Sequence, residues 1–196
     1  FNMIDGHDGV AASLSIATLT AIALVVHRGG LESVSMIIGV FAVALSSFLV
    51  FNIQDSLGKI PKVFLGDAGS MVLGLFIAYF LLRFSGDSSP QLFKPVSAVW
   101  LIGLPLLDML SVMVIRLIRG GNIMMADRSH IHHILLRRGL SKFAVLGIIL
   151  GLQVVFVTVG ITVNFTQIPE SWFFWLGLAV LMTYIMATAK LSRESM

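Results

Sequence analysis

Six long apolar stretches dominate the chain, at about 10–26, 33–51, 69–84, 95–115, 143–163 and 171–189. A bilayer span needs roughly 17–25 such residues. The 69–84 stretch is the shortest of the six, and the other five have the full length. No alternation with period two runs through them, which argues against barrel strands. Gly, Ser and Thr punctuate the Leu, Ile, Val, Phe and Met, and such small residues let helices approach closely in lipid. The expected fold is all-α, a polytopic membrane helical bundle of about six transmembrane helices. Residues 1–196 are expected to form a single integral-membrane domain. Pro105 lies inside the fourth stretch and predicts a kink there.

Composition agrees with this pattern. The chain is 57% hydrophobic and 12% charged, with mean hydropathy +0.97. A soluble domain carries about 25% charged residues. Cysteine is absent, so disulfides say nothing about the compartment.

Charge decides the orientation. Six spans put both ends on one side. The connectors 1–9, 52–68, 116–142 and 190–196 then share a side and hold Lys59, Lys62, Arg116, Arg119, Arg128, Arg137, Arg138, Lys142, Lys190 and Arg193. The opposite side holds Arg28, Arg83 and Lys94. Ten of the 13 Lys and Arg therefore lie on one side, which the positive-inside rule assigns to the cytoplasm.

The polar motifs fall on that same side. "FNMIDGHDG" carries Asn2, Asp5 and Asp8, "VFLGDAGS" carries Phe64 and Asp67, and "DRSHIHH" carries Arg128, His130, His132 and His133. The opposite connectors, "VHRGGLE", "SGDSSPQLFK" and "NFTQIPE", hold nothing comparable. Carboxylates, imidazoles and guanidiniums spread over most of the chain thus converge on one membrane boundary.

Each motif has a chemical and a structural interpretation. Asp5 and Asp8 would share a face if a helix begins near them, and they equally suit a turn and cap before the first span. Asp67 stands in a Gly-rich turn directly before an apolar stretch. One or two carboxylates plus substrate phosphates are the usual Mg2+ environment, and a helix N-terminus attracts phosphate. Phe64 would stack on a base, and capping is again the plain alternative. His130 and His133 are three apart and would share a helix face, with His132 pointing elsewhere. With Arg128 they make an anion pocket, or else a basic loop on lipid headgroups. Asp108 is a carboxylate inside a span, where such groups are functional or paired. Arg116 is roughly 12 Å further along the helix by rise, too far for direct pairing. A tie to another helix is at least as good an explanation of Asp108 as catalysis.

"FNMIDGHDG", "KVFLGDAGS", "PLLDML…IRL" and "DRSHIHH" occur in the order found in the polyprenyl-phosphate N-acetylhexosamine-1-phosphate transferases (glycosyltransferase family 4). The chain resembles the WecA/TagO branch of bacterial UDP-N-acetylglucosamine:undecaprenyl-phosphate transferases. The related MraY translocases end in consecutive histidines, and "HIHH" favours the first branch. The resemblance covers essentially the whole chain. It implies transfer of a sugar-1-phosphate, GlcNAc-1-phosphate in this branch, from a UDP-sugar to undecaprenyl phosphate with release of UMP. That step initiates cell-envelope polysaccharides such as lipopolysaccharide or teichoic acid. The implied cofactor is Mg2+, or Mn2+ in its place. The implied location is the bacterial inner membrane, with the site on the cytoplasmic face. UDP-sugar, undecaprenyl phosphate and membrane lipid are the implied partners, with no nucleic acid.

By resemblance Asp67 is the metal ligand, and Asp5, Asp8, His132 and His133 are catalytic. Asn2, Asn52, Phe64, Arg128 and His130 bind substrate, with Phe64 on uracil and Arg128 among the diphosphate binders. The family's early "DDxxD" motif is absent and would lie upstream of Phe1, so residues 1–196 are expected to be the C-terminal part of a longer transferase, inactive alone. His7 stands where the family has an aliphatic residue. Direct attack and a covalent intermediate on an aspartate both remain compatible with this pattern. A transporter or channel with a cytoplasmic anion-binding loop would instead thread polar residues through several spans, and a membrane scaffold would need none of the three motifs.

Overall fold

The computed structural model describes residues 9–53, 63–86, 90–118, 120 and 130–194. The described residues are helical with no strand. The order is α1 (Val10–Arg28), α2 (Glu32–Ile53), α3 (Gly66–Ser85), α4 (Pro95–Leu101), α5 (Gly103–Ile118), α6 (Ile131–Arg137), α7 (Lys142–Phe165) and α8 (Glu170–Glu194). Five of these are long and apolar enough to cross a membrane, and α4 with α5, bent by 78°, makes a sixth if the broken pair is counted as one span. The expected all-α bundle is what the chain forms.

Composition does not separate the helices, but burial does. In α1, 67% of the apolar window is enclosed, against 6% in α8. Val10 through Ser15 are buried without interruption, so the start of α1 is enclosed on every side. It packs against α2, α3 and α7. One apolar cluster joins α1, α2 and α3 through Ile22, Ile38 and Ile77. A second joins the start of α1 to α5, α6 and α7 through Val10, Leu104, Ile131 and Val145.

The fourth apolar stretch is two helices. The break falls at Ile102, three residues ahead of Pro105. Proline has no N–H and its ring crowds the carbonyl four residues back, which here belongs to Leu101. In hydrocarbon an orphaned carbonyl is expensive. Gln153 of α7 donates to it from Nε2 at 2.9 Å, and Thr18 of α1 donates from Oγ1 at 3.1 Å. Gln153 Nε2 also donates to Thr18 Oγ1 at 2.9 Å. The proline thus opens the helix, and two buried side chains close the hydrogen-bond account.

Small residues let α7 reach this break. A Cβ on Gly103 would lie 2.4 Å from the Phe156 ring, and one on Gly160 would lie 3.2 Å from the Leu101 backbone nitrogen. Ser97 Oγ donates to the Gly160 carbonyl at 2.8 Å. At the far end of α4, Glu170 of α8 accepts from Val96 N at 3.0 Å. Asn164 of α7 bridges the same corner, accepting from Lys94 N at 2.9 Å and donating to the Leu92 carbonyl at 3.0 Å.

Replacing Gln153 with leucine removes both of its donations and leaves the Leu101 carbonyl with Thr18 alone. Gln153→Leu should lower stability by about 1–3 kcal/mol. Thermal unfolding in detergent measures it, and an unchanged melting temperature would mean the carbonyl is matched without Gln153.

Candidate functional site

Gly9 and Val10 open α1 and are the node from which the site is built. Gly9 has φ 78, a left-handed conformation that suits glycine, and a Cβ there would meet the Ile53 side chain at 2.9 Å. Its amide donates to Asn52 Oδ1 at 2.6 Å. Asn52, near the end of α2, donates from Nδ2 to the Val63 carbonyl at 2.7 Å. One buried amide side chain therefore ties the start of α1 to the segment that leads into α3. Asn52 is only 5% exposed. Its expected place among substrate-binding residues has this structural content: it fixes two motif segments side by side.

Phe64 and Asp67 follow directly. Phe64 is 70% exposed. Gly66 begins α3 with φ 69 and has nothing within 4 Å of a built Cβ, so the space beside it is open. Asp67 is exposed and lies inside the first turn of α3, not in a turn ahead of it. The preceding N-cap position is Leu65, with no side-chain cap bond. Asp67 therefore sets a carboxylate where the helix N-terminus is positive. The donor chemistry suits a hard cation such as Mg2+, which takes one or two carboxylates and fills its shell with water and phosphate oxygens. Among the described residues no three His, Cys, Asp or Glu side chains gather as a ready metal cage.

The histidines form a second group. His130 is the N-cap of α6 with extended ψ 148, outside the helix, so the three-residue helical spacing to His133 does not apply. His132 does not point away, as expected, but is the central ring of the three. It lies nearly parallel to His130, at 9° and 5.8 Å between centroids, and 4.1 Å from His133. His132 is fully buried, and His133 is half-buried.

Asp108 of α5 anchors that row. Its Oδ2 lies 2.8 Å from His130 Nδ1, and its Oδ1 accepts from Ile131 N at 3.1 Å. Tyr184 of α8 donates to the same Oδ1 from its hydroxyl at 3.0 Å. The intramembrane carboxylate is thus a tie between helices. Tyr184 is the residue that the sequence left unseen. Its only advance signal was that a carboxylate within a span needs donors.

Each group has one link to the start of α1. Gly9 connects through Asn52 to the Phe64–Asp67 segment, while its neighbour Val10 shares an apolar cluster with Ile131 of α6. Asn2, Asp5, Asp8 and Arg128 lie outside the described residues. An apolar groove of ≈ 220 Å³ runs beside this assembly between α4, α5 and α8, lined by Trp100, Leu107, Leu110, Phe173 and Leu181 among others.

Residues 1–85 match the family model described as "Glycosyl transferase family 4". Curated relatives named undecaprenyl-phosphate alpha-N-acetylglucosaminyl 1-phosphate transferase match most of the chain. The Escherichia coli (strain K12) protein is 31% identical over 88% of this chain and 46% of its own length. That of Yersinia pestis is 32% identical over 93% of this chain and 48% of its own length. That of Haemophilus influenzae is 33% identical over 86% and 47%. The chain spans about half the length of these relatives. No solved structure matches it.

Asn52→Ala should loosen both segments it holds. The expected loss is about 1–3 kcal/mol for two unmatched backbone groups. Hydrogen exchange should rise at the start of α1 and at residues 63–67 together, and a rise at one segment alone would refute the bridge.

Proposed function

The chain belongs to glycosyl transferase family 4, and we propose that it supplies the nucleotide-sugar end of a membrane transferase. The reaction moves GlcNAc-1-phosphate from UDP-GlcNAc to undecaprenyl phosphate and releases UMP. The observation that supports this proposal is the pair of links at the start of α1: Gly9 through Asn52 to the segment that carries Phe64 and Asp67, and Val10 in the same apolar cluster as Ile131, which begins the histidine-bearing α6. The names of the relatives supply the substrate class.

Phosphoryl transfer asks little covalent chemistry of a protein and much positioning and charge neutralisation. In this proposal Phe64 stacks on the uracil, and its exposure leaves the ring accessible. Asp67 holds Mg2+, with Mn2+ as a substitute, and the metal when bound offsets negative charge on the diphosphate. Half-buried His133, with Arg128, is assigned to the diphosphate as a cationic or hydrogen-bonding group that would stabilise the charge left on UMP, and the fully buried His132 packs against the His133 ring. Asp5, Asp8 and Asn2 complete the nucleotide side. The acceptor arrives within the bilayer, and the apolar groove beside α8 is of a kind that takes a prenyl or acyl chain. The excess of Lys and Arg on the motif side supports a cytoplasmic placing of that side, at the bacterial inner membrane.

With the full-length protein, UDP-GlcNAc, undecaprenyl phosphate and Mg2+, Asp67→Asn should nearly abolish lipid-linked product, and His133→Ala should lower kcat by about 10²-fold or more with the fold intact. Wild-type rates in either variant would remove that residue from the site, and no product from the unaltered protein would reject the proposal.

Because the chain has no native cysteine, its sidedness is open to thiol labelling. An impermeant maleimide should label Ser171→Cys in cells with a permeabilised outer layer and intact inner membrane. It should label Arg138→Cys only after the inner membrane is opened. The reverse pattern would invert the topology.

A further inference from the structure

We propose that Asp108 and Tyr184 are positioning residues for the histidine row, so that the last helix of the chain takes part in transfer. The proposal rests on the transferase reaction given above and adds two residues that touch no substrate in it.

The case begins with the carboxylate. Asp108 is 1% exposed, so water does not compete for its oxygens. Three donors from beyond α5 converge on it: the His130 ring, the Ile131 amide and the Tyr184 hydroxyl. Facing a carboxylate, His130 Nδ1 carries the proton, which leaves Nε2 as the ring atom to meet another group. This is the arrangement by which a buried carboxylate fixes the tautomer and tilt of a working imidazole.

The second bond acts on the backbone. α6 has seven residues, too few for a helix to persist alone. Its N-cap residue, His130, offers no side-chain cap bond. The Ile131 amide at its start is matched by Asp108 instead. One carboxylate therefore sets both the ring of His130 and the start of the helix that carries His132 and His133. The near-parallel stack of His130 on His132 passes that orientation along the row. Tyr184 adds the third bond from α8, 76 residues further along the chain, and keeps Oδ1 in place.

Asp108→Asn and Tyr184→Phe in the full-length protein test this beside the unaltered enzyme. In Asp108→Asn the remaining side-chain oxygen would still accept from Ile131, but the new amide nitrogen would face His130 Nδ1 and reverse the tautomer. The expected result is a fall in kcat of about 10²-fold or more, with KM for UDP-GlcNAc little changed. Tyr184→Phe removes one hydrogen bond and should lower kcat by about three- to tenfold when assayed well below its melting temperature, where its small loss of stability leaves the protein folded. The ring ¹⁵N shifts of His130, assigned by loss of its signals in His130→Gln, should report Nδ1–H in the parent and Nε2–H in Asp108→Asn.

Wild-type kcat in both variants overturns the proposal. So does a rate loss that only follows lost thermal stability, or an unchanged His130 tautomer in Asp108→Asn. If the unaltered enzyme makes no lipid-linked product, the transferase reaction falls by itself. The histidine shifts then still decide whether Asp108 orients the row.

Discussion

The carbonyl of Leu101 is the constraint on which the bundle turns. A membrane helix cannot leave a backbone acceptor unmatched, and Pro105 withdraws the donor that Leu101 would have used. Gln153 and Thr18 take over from two other helices. The bend at Ile102 is held by that replacement, not by the proline alone. It needs α7 close to α4, which the absence of side chains at Gly103 and Gly160 permits. Beyond the 78° turn α5 packs against α8 and α7, and its Asp108 bonds to the start of α6. Without the turn, Asp108 would not face Tyr184 and His130.

Two side chains then do for the site what Gln153 does for the bend. Asn52 spans Gly9 and Val63, and Asp108 spans His130, Ile131 and Tyr184. Both are buried polar groups with specific partners, the condition under which burial organises a structure instead of weakening it. Phe64 and Asp67, by contrast, are exposed. The chain thus separates buried residues that tie segments together, Asn52 and Asp108, from the exposed residues of "VFLGDAGS".

The spans were legible because apolar length alone specifies them. The 69–84 stretch looked short because its first turn is the polar "GDAGS": α3 begins at Gly66, and composition hides it. α6 was invisible for a related reason, since seven residues hold too few turns to reveal a period. Pro105 announced a kink but not its size or its position, which depend on Gln153, far away in sequence terms. Asp108 announced a tie, and nothing in the sequence identified Tyr184 as its partner. The helical spacing that paired His130 with His133 failed because His130 is extended and belongs to no helix. Local pattern gave the elements and the motif residues. Long-range polar pairing, which has no local signature, gave their arrangement.

The bend has a mechanical corollary. Asp108 sits six residues beyond Ile102, about 9 Å along α5 by helical rise. A swing of about 10° at the hinge would carry its carboxylate about 1.6 Å, more than hydrogen-bond geometry tolerates. α5 is in effect a lever with its fulcrum inside the bilayer, so the exactness with which the imidazoles are aimed is set by groups at the fulcrum. Slack in the Gln153–Thr18 knot would be magnified at the far end of that arm.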